Sequence, residues 1–201
     1  MFIKLLVCAL IGYLLGSLSG SILTSKIFFK ADIRSQGSGN AGMTNSLRVY
    51  GVGAAISTIV VDVCKSVGAA LIGTAICGLD GLIAAGAAVM LGHAFPLYFG
   101  FKGGKCVICI AIVGSFVSWQ TVLIAAAAFA IILLCTKIVS ASSCGAMVTA
   151  IIAAAVLQLD IKSFLFIALA CSFVIFLHRA NIVRILNKTE KKITVKGGSK
   201  Q

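Results

Sequence analysis

Acidic residues are nearly missing: five Asp and Glu stand against seventeen Lys and Arg in 201 residues, and charged residues of both signs make only 11% of the chain. A soluble domain carries about a quarter charged residues. That scarcity, with 60% hydrophobic residues and a mean hydropathy of +1.13, excludes a water-soluble globule and indicates an integral membrane protein. Proline is also scarce, with one residue in the chain, so little interrupts helices. Period-two alternation is absent too. The run 122–134, "VLIAAAAFAIILL", is apolar throughout, whereas strands of a membrane barrel alternate between lipid and lumen. Helices satisfy their own backbone inside a bilayer, and the expected fold class is an all-α integral membrane bundle.

Further absences narrow the function. The formal charge of +12 suggests nucleic acid, but no nucleic-acid reader motif is present, and the cations sit in short clusters between apolar runs and in the tail. Anionic lipid headgroups and anionic substrates suit that placement. Eight cysteines include one C-x-x-C, Cys106 to Cys109. Without a second pair or a nearby histidine it is not a zinc site, and the cysteines read as small buried hydrophobes. No metal and no cofactor are expected.

What is present is a series of apolar segments at about 2–23, 52–77, 81–100, 106–118, 120–136, 144–158 and 163–178. The connections alternate in charge. The first carries Lys26, Lys30, Arg34 and Arg48, the third Lys102 and Lys105, and the fifth Lys137. The tail carries Arg179, Arg184, Lys188, Lys191, Lys192, Lys196 and Lys200. The second and fourth connections have no basic residue, and the sixth only Lys162. The positive-inside rule therefore gives seven short transmembrane helices, with the N-terminus outside and the C-terminus cytoplasmic. Fusing 106–136 into one span would put the basic tail outside. Residues 1–23 read as a retained helix, because only Lys4 precedes the apolar core and the cations follow it. A single domain spanning 1–201 is expected.

Four polar stretches then face one compartment. "GSGNAGMTN" (37–45) matches G-x-G-x-x-G, but a dinucleotide site needs a preceding strand and a βαβ unit, and a membrane span stands there instead. It reads as a phosphate-binding turn. Glycines such as Gly39 let backbone N–H groups face an anion, Ser38, Asn40, Thr44 and Asn45 add donors, and Arg48 adds a planar fork. "GFKGGK" repeats the recipe with Gly103, Gly104 and Lys105. "TKIVSASS" (136–143) is a cytoplasmic turn ending in Ser143, and His178, Asn181 and Arg184 are spaced i, i+3, i+6, on one face if the last helix continues. Taken singly, each has a plainer reading: a loop, an anchoring lysine at 102, a helix cap at His178. His93 reads as local packing before Pro96. Asp62 and Lys65, i and i+3 within the second span, read as an ion pair bordering the site.

Together, "GSGNAGMTN" with Arg48, "DVCK", "GHAFP" with "FKGGK", "TKIVSASS" and "HRANIVRILNKTE" closely resemble the bacterial acyl-phosphate:glycerol-3-phosphate acyltransferases, the PlsY family, over nearly the whole chain. The resemblance implies a seven-helix protein of the bacterial inner (cytoplasmic) membrane with its site on the cytoplasmic side. It implies transfer of a fatty acyl group from acyl phosphate to the 1-hydroxyl of sn-glycerol 3-phosphate, giving lysophosphatidate and phosphate. Matched residue by residue, Ser38, Arg48, Lys105, Ser143, His178 and Asn181 would be catalytic. Gly39, Asn40, Thr44, Asn45, Gly103 and Gly104 would bind substrate, and Asp62, Lys65 and His93 would support them. The soluble enzyme that makes acyl phosphate is an implied partner, with membrane lipid. Three positions depart from the family pattern: Cys106 and Ser66 stand where glycine is usual, and Ala180 where glutamate is.

Acyl phosphate is already activated, so no covalent nucleophile is needed, and no nucleophile–base arrangement is evident. Asp32 and Glu190 are the only carboxylates in the four motif stretches. The hydroxyl proton goes either to His178 or to a substrate phosphate oxygen, as the family is thought to work. Two other readings are a transporter for a phosphorylated solute, which needs polar groups at mid-membrane, and an inert assembly subunit.

Overall fold

The computed structural model describes residues 1–193. Lys196 and Lys200, counted in the basic tail, lie outside the described residues. Every regular element among the described residues is helical. The chain forms two compact units, Met1–Val113 and a second beginning at Gly114.

In the first unit, α1 (Phe2–Gly16) and α2 (Gly20–Phe29) together make an apolar stretch long enough to cross a bilayer, broken at residues 17–19. The apolar segment expected to end at about 23 continues in α2 through Thr24, Ser25 and Lys26. A short 3-10 turn (Ile33–Ser35) and α3 (Met43–Tyr50) follow, so Thr44, Asn45 and Arg48 stand on a helix rather than in a loop.

Helix α4 (Val52–Ala94) is two helices, broken at Cys77 and Gly78. Were it straight, Lys65 and His93 would lie about 40 Å apart at 1.5 Å per residue. Their side chains are instead 2.8 Å apart, so the two arms run antiparallel. The arms touch where Gly73 and Gly81 face each other with no room for a Cβ on either. The same hairpin receives α1, whose Gly12 and Gly16 lie directly on the backbone of Ala85 and Val89. Small residues permitting such approach are the usual means of packing helices in lipid. After Ala94 comes Pro96, which cannot continue the helix, and the segment expected to reach 100 instead closes in a 3-10 turn, Leu97–Phe99. Tyr13 Oη donates to the Phe95 carbonyl (2.9 Å), and the Leu97 N–H donates to Ser17 Oγ (3.1 Å), tying this turn to the break in the first span. Helix α5 (Val107–Val117) then leads towards the second unit.

The second unit contains α6 (Trp119–Thr136), α7 (Val139–Val156), α8 (Ile161–Leu177) and α9 (Arg179–Leu186). Ser118 caps α6 by accepting the Thr121 N–H, and Asp160 caps α8 by accepting those of Lys162 and Ser163. Helix α9 turns away from α8 by 59°. Large apolar side chains face outward on these helices: Leu134 is 79% exposed and Leu169 is 70% exposed. Lipid is the solvent that suits such a surface, and the chain is a multi-pass membrane protein.

The serine stretch differs from expectation. Helix α7 begins at Val139, not near 144, so Ser140, Ser142 and Ser143 lie in its first turns. The Ser142 and Ser143 hydroxyls donate to the carbonyls of Ile138 and Val139, each at 2.9 Å. Serine reads as a turn residue because its hydroxyl competes for backbone groups; bonded to the carbonyl four residues back, it stays helical.

Candidate active site

The first glycine-rich stretch is shaped by Asn45. This buried amide accepts the Ser38 N–H through Oδ1 (2.9 Å) and donates through Nδ2 to the Ile33 (3.3 Å) and Gln36 (3.0 Å) carbonyls. Both of its N–H groups are thus engaged in folding the loop. Gly37 and Gly39 take positive φ, 63° and 73°. Ser38, Gly39 and Arg48 are exposed, Asn40 and Thr44 half-buried. The Gly39 N–H donates to the Gln36 carbonyl (2.9 Å) and the Ser38 N–H to Asn45, so these backbone groups close the turn rather than face an anion. The outward donors are the Ser38 hydroxyl and Arg48, with Asn45 underneath.

The second turn lies against the end of α4. The Gly103 and Gly104 N–H groups donate to the carbonyls of Ala94 and His93, both at 3.0 Å. Gly104 is wedged between the His93 ring and the Ala41 carbonyl, where a Cβ has no space. Ala41 belongs to the first stretch, so the two glycine turns pack back to back. Lys105, half-buried, follows at once. Cys106 has φ 62°, a left-handed conformation, and its thiol donates to the Met90 carbonyl (3.1 Å).

Beneath them lies a buried polar cluster. Lys65 Nζ is 2.8 Å from Asp62 Oδ1 and 2.8 Å from His93 Nδ1. It also donates to the Gly16 (3.1 Å) and Leu18 (2.9 Å) carbonyls, while Asp62 accepts the Gly20 N–H (3.4 Å). A cation at the C-terminus of α1 and an anion at the N-terminus of α2 match both helix dipoles and satisfy backbone groups that the break leaves open. The pair expected from i, i+3 spacing forms, and its partners are the broken ends of the first span.

In the second unit, Ser143 is buried on α7, and His178 and Asn181 are buried where α8 bends into α9. The bend means that His178, Asn181 and Arg184 do not continue α8 as one straight helix face. His178 Nδ1 lies 2.8 Å from the Val174 carbonyl. A carbonyl can only accept, so Nδ1 carries the proton and the lone pair of the neutral ring is on Nε2. Glu190 gathers the neighbouring groups: Ser140 Oγ (2.8 Å) and Asn181 Nδ2 (2.6 Å) donate to one carboxylate oxygen and Arg184 Nε (2.6 Å) to the other. Partial burial pushes its pKa up, but the bonds from Asn181, Arg184 and Ser140 outweigh this and hold it below the usual value. Sequence reasoning noted Glu190 only as a rare carboxylate; an acidic residue alone in a basic tail was the available signal. No group of three metal-ligating side chains occurs among the described residues.

Comparison with known proteins gives a consistent result. Residues 6–188 match the family model described as glycerol-3-phosphate acyltransferase. A glycerol-3-phosphate acyltransferase of Thermoanaerobacter pseudethanolicus is 40% identical over 185 residues, covering 92% of this chain and 93% of that one. One of Brucella ovis is 39% identical over 203 residues, covering 98% and 97%. The crystal structure of PlsY, an integral membrane glycerol 3-phosphate acyltransferase, in its glycerol 3-phosphate form superposes with a TM-score of 0.88 at 31% identity, covering 94% of this chain and 96% of that one.

Proposed function

The chain belongs to the glycerol-3-phosphate acyltransferase family, and on that premise we propose that it moves a fatty acyl group from acyl phosphate to the 1-hydroxyl of sn-glycerol 3-phosphate. The hydroxyl oxygen attacks the acyl carbon, the bond from that carbon to the phosphate oxygen breaks, and lysophosphatidate and inorganic phosphate leave. The observation that carries this reading is the Gly104–Ala41 contact. It sets two glycine turns against each other, each followed by a cation, Arg48 and Lys105, as two phosphate-bearing substrates require.

The Ser38 hydroxyl and Arg48 hold one phosphoryl group, with Asn40 and Thr44 beside them, Gly39 making the turn and Asn45 shaping the loop. Lys105 holds the other, placed by Gly103 and Gly104, whose N–H groups fix the turn on the end of α4. Ser143, His178 and Asn181 serve the reacting centre. Phosphate is a competent leaving group, so the protein's task is alignment, worth about 7–11 kcal/mol of barrier when good. Donors aimed at the developing oxyanion add about 3 kcal/mol each. A phosphate oxygen of bound glycerol 3-phosphate takes the hydroxyl proton, and His178 orients the hydroxyl. Asp62, Lys65 and His93 support the turns from beneath.

The membrane is the bacterial inner membrane. Seven helices cross it if both arms of α4 and the short α5 are counted, with the N-terminus outside and the glycine turns at the cytoplasmic face. The soluble enzyme that makes acyl phosphate is the partner on that side. Membranes containing the protein, given radiolabelled glycerol 3-phosphate and palmitoyl phosphate without coenzyme A, will form labelled lysophosphatidate. Label trapped in sealed vesicles with no lipid product would mean a carrier instead.

A further inference from the structure

Arg34 lies in the 3-10 turn just before the first glycine stretch, and the chemistry above makes no use of it. Its guanidinium is partly buried and faces in two directions. Towards its own turn, Nε donates to both Asp32 oxygens (2.9 and 3.2 Å) and Nη2 to Oδ2 (2.7 Å). Asp32 also accepts the Arg34 N–H (3.0 Å), so the carboxylate holds both the backbone and the fork of one residue. On the other side, Nη1 donates to the carbonyls of Phe99 and Lys102. These belong to the turn that delivers Gly103, Gly104 and Lys105. The Arg34 carbonyl meanwhile lies under Gly39, where a Cβ would come within 3.2 Å.

We infer that Arg34 is a positioning residue, clasped by Asp32, that fixes the spacing between the two phosphoryl-binding turns. Donor arithmetic separates it from a substrate ligand. A guanidinium has five N–H groups; four make the contacts just named, leaving one on Nη2, and a phosphate grip needs two side by side. Arg48 is the exposed arginine of this region. Gly104 against the Ala41 carbonyl and Phe99 against the cluster of Ile33 and Ala41 are packing contacts between the turns, and Arg34 adds a hydrogen-bonded tie. The inference deepens the two-phosphate reading and rests on it for its kinetic consequence.

In R34A each turn keeps its own donors and only their registration loosens. Acyl transfer is expected to lose turnover by about 10–100-fold, the scale of a 1 Å misplacement, with KM for each substrate within about threefold of the unaltered enzyme. R34K is expected not to rescue, because one ammonium cannot hold the Asp32 carboxylate and two carbonyls in one plane. D32N keeps the shape, weakens the clasp and should lie between. Hydrogen exchange reads the clasp without any assay of activity: amides of 97–105 should exchange faster in R34A and D32N, with those of the α4 arms unchanged. Unaltered exchange at 97–105 would overturn the inference, as would a rise in KM without loss of turnover, or full rescue by lysine. An unaltered enzyme that makes no lysophosphatidate would sink the functional reading while leaving the exchange result to decide the clasp.

Discussion

At the scale of single residues, Cys106 is the clearest departure from the resembled pattern, and its backbone explains why glycine is usual there. A side chain at φ 62° costs about 1–2 kcal/mol, offset here by burial and the thiol bond to Met90. C106G should therefore keep full turnover and melt within a few degrees of the unaltered protein. C106V, β-branched and without a donor, should lose both stability and turnover, because Lys105 is its neighbour. For His178, the pinned Nδ1 and the substrate-assisted proton transfer predict that H178A lowers kcat but keeps the inflection of the pH profile. Loss of that inflection would make His178 the base. Asp32 sets an acid limit. The hydrogen bond and charge of Arg34 hold its pKa at about 2, below the usual value of about 3.9. A depressed carboxylate contributes stability above the unfolded value and loses it as pH falls through the folded one. The melting difference between the unaltered protein and D32N should be constant from about pH 5 upward and shrink between about pH 4 and pH 2.

At the scale of elements, the break at residues 17–19 depends on two side chains far along the chain. K65M takes from the buried Asp62 carboxylate its lysine partner, leaving His93 Nδ1 at 3.5 Å as the remaining one, and uncaps α1; breaking a buried pair on one side costs about 3–5 kcal/mol. Thermal melts in detergent should show a large loss for K65M and a smaller one for D62N/K65M, in which neither partner is charged and the amide oxygen introduced at position 62 can still accept the Gly20 N–H. Equal losses would mean that capping, not charge, dominates. This element also shows where sequence reading ran short. The hairpin in α4 was visible as "CGLDG", since a local run of glycines signals its own turn. The break in the first span carries no such signal, because the residues that stabilise it, Asp62 and Lys65, lie in another helix. The serines of α7 misled for a related reason: their hydroxyls bond within the helix, a choice that composition does not reveal.

At the scale of the whole molecule, the apolar segments and the order of the polar stretches were legible, since membrane insertion is governed by hydrophobic runs and flanking charge. The fine geometry was not: the bonds by which Asn45 holds the loop and those by which Arg34 reaches Phe99 and Lys102 leave no trace in the order of residues. Sidedness is directly testable. In a chain freed of its own cysteines, an impermeant thiol reagent should label S35C only in inverted vesicles and Q158C only from outside. The opposite pattern would reverse the orientation. All of this depends on the reversal at Gly78, with φ 58° and ψ −138°. Inverting both signs gives about −58° and +138°, the polyproline basin that ordinary residues favour. Position 78 is thus a right-hand glove on a left-handed chain: semisynthesis with D-alanine should be tolerated there, and L-alanine should not, although empty space surrounds the site.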